Sequence, residues 1–138
     1  MTEMIDQPPP IATDRRPAWD IVIAYVEGRR EMNAYGSTGT VGRVITDMRD
    51  RDLIGRQRYG VPLTAGNGRD HLIDAYQEQL DFSVYCAAQL DEWGLGPESY
   101  LGGLGGATGW RMHLVQQMFR TSVDLLIQLR ALIEERVS

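Results

Sequence analysis

Hydrophobic positions recur every three or four residues along four stretches of this chain, and no stretch shows the alternation of a half-buried strand. Trp19, Val22, Ile23 and Val26 form the first stripe. They predict a helix from about Pro17, a favoured first-turn residue, to about Ala34, where Tyr35-Gly36-Ser37-Thr38-Gly39 supplies the stop. Val41, Val44, Ile45 and Met48 make the seam of a second helix, from Thr40 as N-cap to about Arg58, with Gly60 and Pro62 ending it. The third helix is predicted over Gly68 to Leu90, capped by Asn67 or Asp70, with Leu72, Tyr76, Leu80, Ala87 and Leu90 as its apolar side. The fourth, from about Trp110 to Val137, carries Leu114, Val115, Met118, Phe119, Leu125, Leu126, Leu129, Leu132 and Ile133 on one broad face.

The connections complete the picture. Residues 1–16 are polar and carry three successive prolines, which predicts a flexible, extended tail ahead of a helical domain over 17–138. The run from Gly94 to Gly109 holds seven glycines and reads as a mobile connection or lid. It has no Gly-Lys-Ser/Thr ending and no strand before it, so it does not make a phosphate-binding loop of the usual kind. The expected fold is therefore all-α, a four-helix-bundle-like single domain with a glycine-rich loop before the last helix.

Composition narrows the function. A net charge of −5 argues against a nucleic-acid backbone as the principal ligand, since such binders show basic excess. All 14 basic residues are arginine, so any phosphate would meet planar, bidentate forks. One cysteine, Cys86, permits neither an intramolecular disulfide nor a cysteine-based zinc site. Its apolar neighbours suit a small buried hydrophobe. No apolar run reaches the roughly 20 residues of a membrane span, and the N-terminus has no secretory pattern, so the expectation is a cytoplasmic protein without a membrane partner.

The candidate chemistry lies on the third helix. Asp70, Asp74, Glu78 and Asp81 fall at helical spacing, so their carboxylates share one stripe that Tyr85 extends. Alone, this is an amphipathic surface helix with a solvated face. The following stretch, Phe82-Ser83-Val84-Tyr85-Cys86-Ala87-Ala88, is apolar nearly all round, which suits a helix enclosed on most sides. A central helix would carry Glu78 and Asp81 into the interior. On the second helix, Asp52 continues the apolar seam with Arg56 beside it, and a carboxylate there must reach solvent or meet a cation. Glu27 and Glu31 lie beside the first helix's stripe and read as solvated charges. Carboxylates without histidine or cysteine suit Mg²⁺ or Mn²⁺, which act on substrate phosphates. In that arrangement Asp52, Asp74, Glu78 and Asp81 are candidate ligands, Arg56, Arg58 and Arg69 meet phosphate oxygens, and Tyr59 and Tyr85 are candidates to stack on a base.

Glu78-Gln79-Leu80-Asp81 and the residues through Leu90 resemble the ExxD helix of MazG-like all-α nucleoside triphosphate pyrophosphohydrolases. Arg56-Gln57-Arg58-Tyr59-Gly60 resembles the basic-aromatic-glycine element of phage-encoded members, and Asp47 through Glu92 is similar to small proteins of actinobacteria and their phages placed near this group. The resemblance covers about a third of the chain. It implies a Mg²⁺-dependent enzyme that cleaves an NTP or dNTP to the monophosphate and pyrophosphate, with Glu78 and Asp81 catalytic, in a homo-oligomer. The EExxE string of the family's first motif is absent, and Glu27 with Glu31, or Asp47, Asp50 and Asp52, would have to substitute. The alternative is a non-catalytic helical module that binds a partner or self-associates through its long last helix.

Overall fold

The computed structural model describes residues 7–29, 38–102 and 105–136. Among them are four α-helices, α1 (Ala18–Gly28), α2 (Thr38–Tyr59), α3 (His71–Glu92) and α4 (Gly106–Glu135), and the fold is all-α. The described residues group into two compact units, 7–69 and 70–136. No helix among them is long and apolar enough to cross a membrane.

In the first unit α1 and α2 pack antiparallel. Glu27 near the end of α1 meets Arg49 of α2 at 3.3 Å, while Asp20 near its start lies close enough to Arg56 to act on its charge. Val41 and Ile45 are buried, and Trp19, Ile23, Val26 and Met48 are half-buried. Val22 and Val44, at the margins of the predicted seams, are exposed. A pair of helices fills one narrow line of contact, so only the centre of each stripe is covered. α1 ends at Gly28, short of the predicted Ala34, while Glu31 and the predicted stop up to Ser37 lie outside the described residues, and Thr38 and Gly39 of that stop begin α2. Thr40, expected as an N-cap, is inside α2. Gly60 ends α2 in the left-handed conformation (φ 76°), its N–H donating to the Arg56 carbonyl at 2.8 Å.

The described part of the proline-rich segment departs from the predicted flexible tail. Residues 7–16 form neither helix nor strand, in keeping with three prolines, bend at Asp14 and Arg15, and are fastened to the connection after α2. The Ile11 N–H donates to the Asn67 carbonyl (2.9 Å), the Arg69 guanidinium to the Pro8 carbonyl (2.8 Å) and the Thr13 hydroxyl to the Thr64 hydroxyl (2.7 Å). Pro17 and Thr64 form an isolated antiparallel bridge. Proline restricts the unfolded chain beforehand, so ordering this segment sacrifices little entropy. Thr64 and Asn67 are buried beneath it. The Asn67 side-chain oxygen accepts the Arg69 N–H at 3.1 Å, while its amide nitrogen has no protein partner among the described residues.

In the second unit α3 and α4 pack antiparallel, Arg136 just past α4 meeting Asp70 at the start of α3, with Cys86, Leu90 and Ile133 as the buried apolar side chains among the described residues. Asp70, one of the two predicted caps, receives the N–H groups of Leu72 and Ile73 at 3.1 and 3.2 Å. Gly94 (φ 73°) closes α3: its N–H reaches the Asp91 carbonyl and that of Leu95 the Leu90 carbonyl, both at 2.9 Å, the paired bonds of a Schellman motif. Where it is described, the glycine-rich run is fastened to α4. Gln116, buried on α4, donates to the carbonyls of Gly96 (3.1 Å) and Ser99 (3.0 Å), and Arg120 donates to that of Pro97 (3.3 Å). Gly106 and Gly109, expected in the loop, belong to the first turn of α4.

Candidate functional site

The predicted acidic stripe separates, residue by residue, into different roles. Asp70 is structural: besides capping α3, it accepts a 2.9 Å ion pair from Arg136, just past α4. Burial alone would raise the Asp70 carboxyl, but the amides of Ile73 and Leu72 and the Arg136 guanidinium outweigh it and hold it below its ordinary value. A carboxyl held lower in the folded chain than in the unfolded one stabilises the fold above the unfolded pKa, near 4, and ceases to as the pH falls through the folded value. Asp70→Asn keeps an oxygen for the cap and removes the charge. It is expected to lower stability at pH 7 by about 0.5–1 kcal/mol, given the partly exposed pair. The difference from the parent should shrink below about pH 4; urea midpoints at pH 7, 4 and 3 check both.

Asp74 is half-buried, and Glu78 and Asp81 are exposed, as is Tyr85 at 71%. The predicted interior setting is therefore corrected for this chain. Phe82 and Val84 are exposed as well, because α4 covers one side of α3 and the apolar residues elsewhere on its circumference stay open. Among the described residues Glu78 and Asp81 form no ion pair, and no three His, Cys, Asp or Glu side chains gather as a metal ion would require. Mg²⁺ binds an octahedral set of oxygens, usually one or two carboxylates with water and substrate phosphates. Two solvent-facing carboxylates one turn apart do not by themselves make a resident site.

The remaining predicted residues belong to the first unit, where most are engaged with one another. Arg56 and Asp52 pair at 3.0 Å across one helical turn, with the Asp52 side chain 17% exposed. The carboxylate that continues the apolar seam is thus met by a guanidinium, and its hydrogen bond pushes the Arg56 group above its ordinary value. Arg58 lies over the Tyr59 ring, 5.2 Å from its centre, with both residues exposed. Arg69 holds the proline segment through the Pro8 carbonyl. Cys86 is buried, and burial pushes its thiol up, in keeping with an inert packing role.

The second unit also holds a groove of about 390 Å³ between α3 and α4. Its lining includes Gln79 and Phe82 of α3 and Leu114, Met118, Thr121 and Leu125 of α4. The pattern behind it is present in the sequence. The broad apolar face of α4 is two adjacent seams, each with alternating four- and three-residue steps. Val115, Phe119, Ser122, Leu126, Leu129 and Ile133, all buried or half-buried, form one of them. Leu114, Met118, Thr121, Leu125, Gln128 and Leu132 form the other, in which Met118, Leu125 and Leu132 are exposed and the first four residues line the groove. Compared with known protein families, curated proteins and solved structures, the chain matches none of them.

Proposed function

We propose that this chain is a non-catalytic helical interaction module, with the groove between α3 and α4 as its docking surface. The observation that carries this reading is the second seam of α4. A helix with two adjacent heptad seams is built to contact two neighbours, and α3 supplies one. The open seam from Leu114 to Leu132 spans roughly 27 Å at 1.5 Å per residue, a length suited to another helix. The groove lining carries no arginine, and Glu78 and Asp81 stand on the same stretch of α3, which disfavours a nucleotide's phosphates there.

The pyrophosphohydrolase reading rests on the ExxD spacing of Glu78 and Asp81 and on their accessibility. It needs further carboxylates from a second element. Two measurements separate the readings. Met118→Gln with Leu125→Gln is expected to leave the melting temperature within a few degrees, since surface changes are usually within about 0.5 kcal/mol each. A loss of several kcal/mol would mean that the seam is covered in the folded protein. Incubation with each NTP and dNTP in Mg²⁺ or Mn²⁺ is expected to release no pyrophosphate. Release that disappears in Glu78→Gln would replace the module by the hydrolase.

A further inference from the structure

We infer that Asn67–Gly68, in the connection after α2, is a self-modification site guarded by the proline segment. Release of residues 7–16 lets Asn67 convert to aspartate or isoaspartate, and the conversion keeps the segment released. Of the chain's two asparagines, only Asn67 precedes a glycine. Glycine has no Cβ, so its peptide nitrogen can approach the side chain before it. When hydroxide takes the Gly68 N–H proton, the nitrogen attacks Asn67 Cγ. The Cγ–Nδ2 bond breaks, and ammonia leaves with a proton from water, which regenerates hydroxide. Water then opens the cyclic imide at either carbonyl, giving aspartate or isoaspartate.

The folded chain holds the pair back from this step. Asn67 is 0% exposed, its Oδ1 accepting the Arg69 N–H at 3.1 Å and its main-chain carbonyl the Ile11 N–H at 2.9 Å. The side-chain amide nitrogen has no protein partner among the described residues, so enclosure rather than hydrogen bonding keeps it from water. The proline segment supplies that cover: a Cβ at Gly68 would stand 3.9 Å from Ile11 Cγ1. Ile11 is itself 60% exposed, so the cover there is one residue deep. Pro8 to Arg69, Ile11 to Asn67 and Thr13 to Thr64 are single hydrogen bonds from a segment outside any helix, and they can part while α1 and α2 stay packed. Conversion then opposes closing. Aspartate brings a charge into a site without exposure, which is costly unless a cation meets it. Isoaspartate reroutes the main chain through Cβ and moves the carbonyl that holds Ile11.

The test incubates the full chain in mildly alkaline buffer and digests timed samples with trypsin. The peptide 59–69 contains one asparagine and no glutamine, so an amide-to-acid mass gain in it reports Asn67 alone. Conversion in the parent should be slower than in a free peptide of the same residues. Ile11→Pro removes the N–H donor and should speed conversion about fivefold, the effect of one hydrogen bond on a local opening. Thr13→Val takes its place if circular dichroism shows that variant unfolded. Ile45→Val, which weakens the α1–α2 core without touching the segment, should stay near the parent rate. Both aspartate and isoaspartate should form, and trypsin should cut after Arg15 sooner in Asn67→Asp than in the parent. A parent as fast as the free peptide, or folded segment variants no faster than the parent, would overturn the guard. So would an equal acceleration in Ile45→Val, which would mean that the whole unit must unfold. Aspartate as the sole product would replace ring closure by direct hydrolysis and overturn the self-modification. Equal cleavage of Asn67→Asp and the parent would overturn the lasting release.

Discussion

Leu90→Ala is expected to destabilise the α3–α4 unit by about 3 kcal/mol, within the usual range of 2–5 for buried leucine. Leu90 is 1% exposed, and among the described residues the other buried apolar side chains of that unit are Cys86 and Ile133. A core this small has few atoms with which to close the cavity, so the cost should lie above the lower end of that range. Unfolding in urea, followed by helical circular dichroism, should show a lower midpoint with an unchanged slope. Val84→Ala, on the same helix at 63% exposure, is the control and should stay within about 0.5 kcal/mol of the parent. The loss expected for Leu90→Ala is a substantial part of the 5–15 kcal/mol that holds a typical domain folded. A loss below about 1 kcal/mol would mean that α3 and α4 do not depend on each other in the way their packing indicates.

Periodicity found the helices because it is local. The seam at Val41 and Ile45, the cap at Asp70 and the stop at Gly60 all arise from residues within one or two turns of each other. The Asp52–Arg56 pair is equally local, four residues apart, yet the phosphate reading assigned its two members to different tasks. What the sequence could not disclose is occupancy. The acidic stripe of α3 has the same spacing whether a second helix faces it or water does, and the structure leaves Glu78 and Asp81 exposed. The same holds for α4, whose apolar face is broad enough for two neighbours while α3 contacts only part of it. The proline segment was legible as non-helical, but its partners lie 51 to 61 residues away at Thr64, Asn67 and Arg69, beyond any short-range pattern. Gln116 gave no warning either, since a glutamine beside an apolar seam reads as surface until the loop that covers it is known.

That glutamine leads to the second large effect. Gln116→Ala is expected to destabilise the α3–α4 unit by about 2 kcal/mol, because its amide holds two carbonyls, those of Gly96 and Ser99, that otherwise lose a donor. If the loop stays closed, both carbonyls bear the desolvation cost; if it opens, water satisfies them and the loop's contacts with α4 are given up. Either way its remaining ties are weaker: Arg120 to the Pro97 carbonyl and to Glu98, at 3.3 and 3.4 Å with exposed or part-exposed side chains. Opening should therefore accompany much of the loss. Chymotrypsin is expected to cut after Leu95 or Tyr100 faster in the variant, and amide exchange through the first turns of α4 should quicken. Gln116→Leu fills a similar volume without donors and separates the two possible roles. Stability restored by leucine would mean that Gln116 mainly fills space. Stability still about 2 kcal/mol below the parent would show that the paired hydrogen bonds anchor the loop.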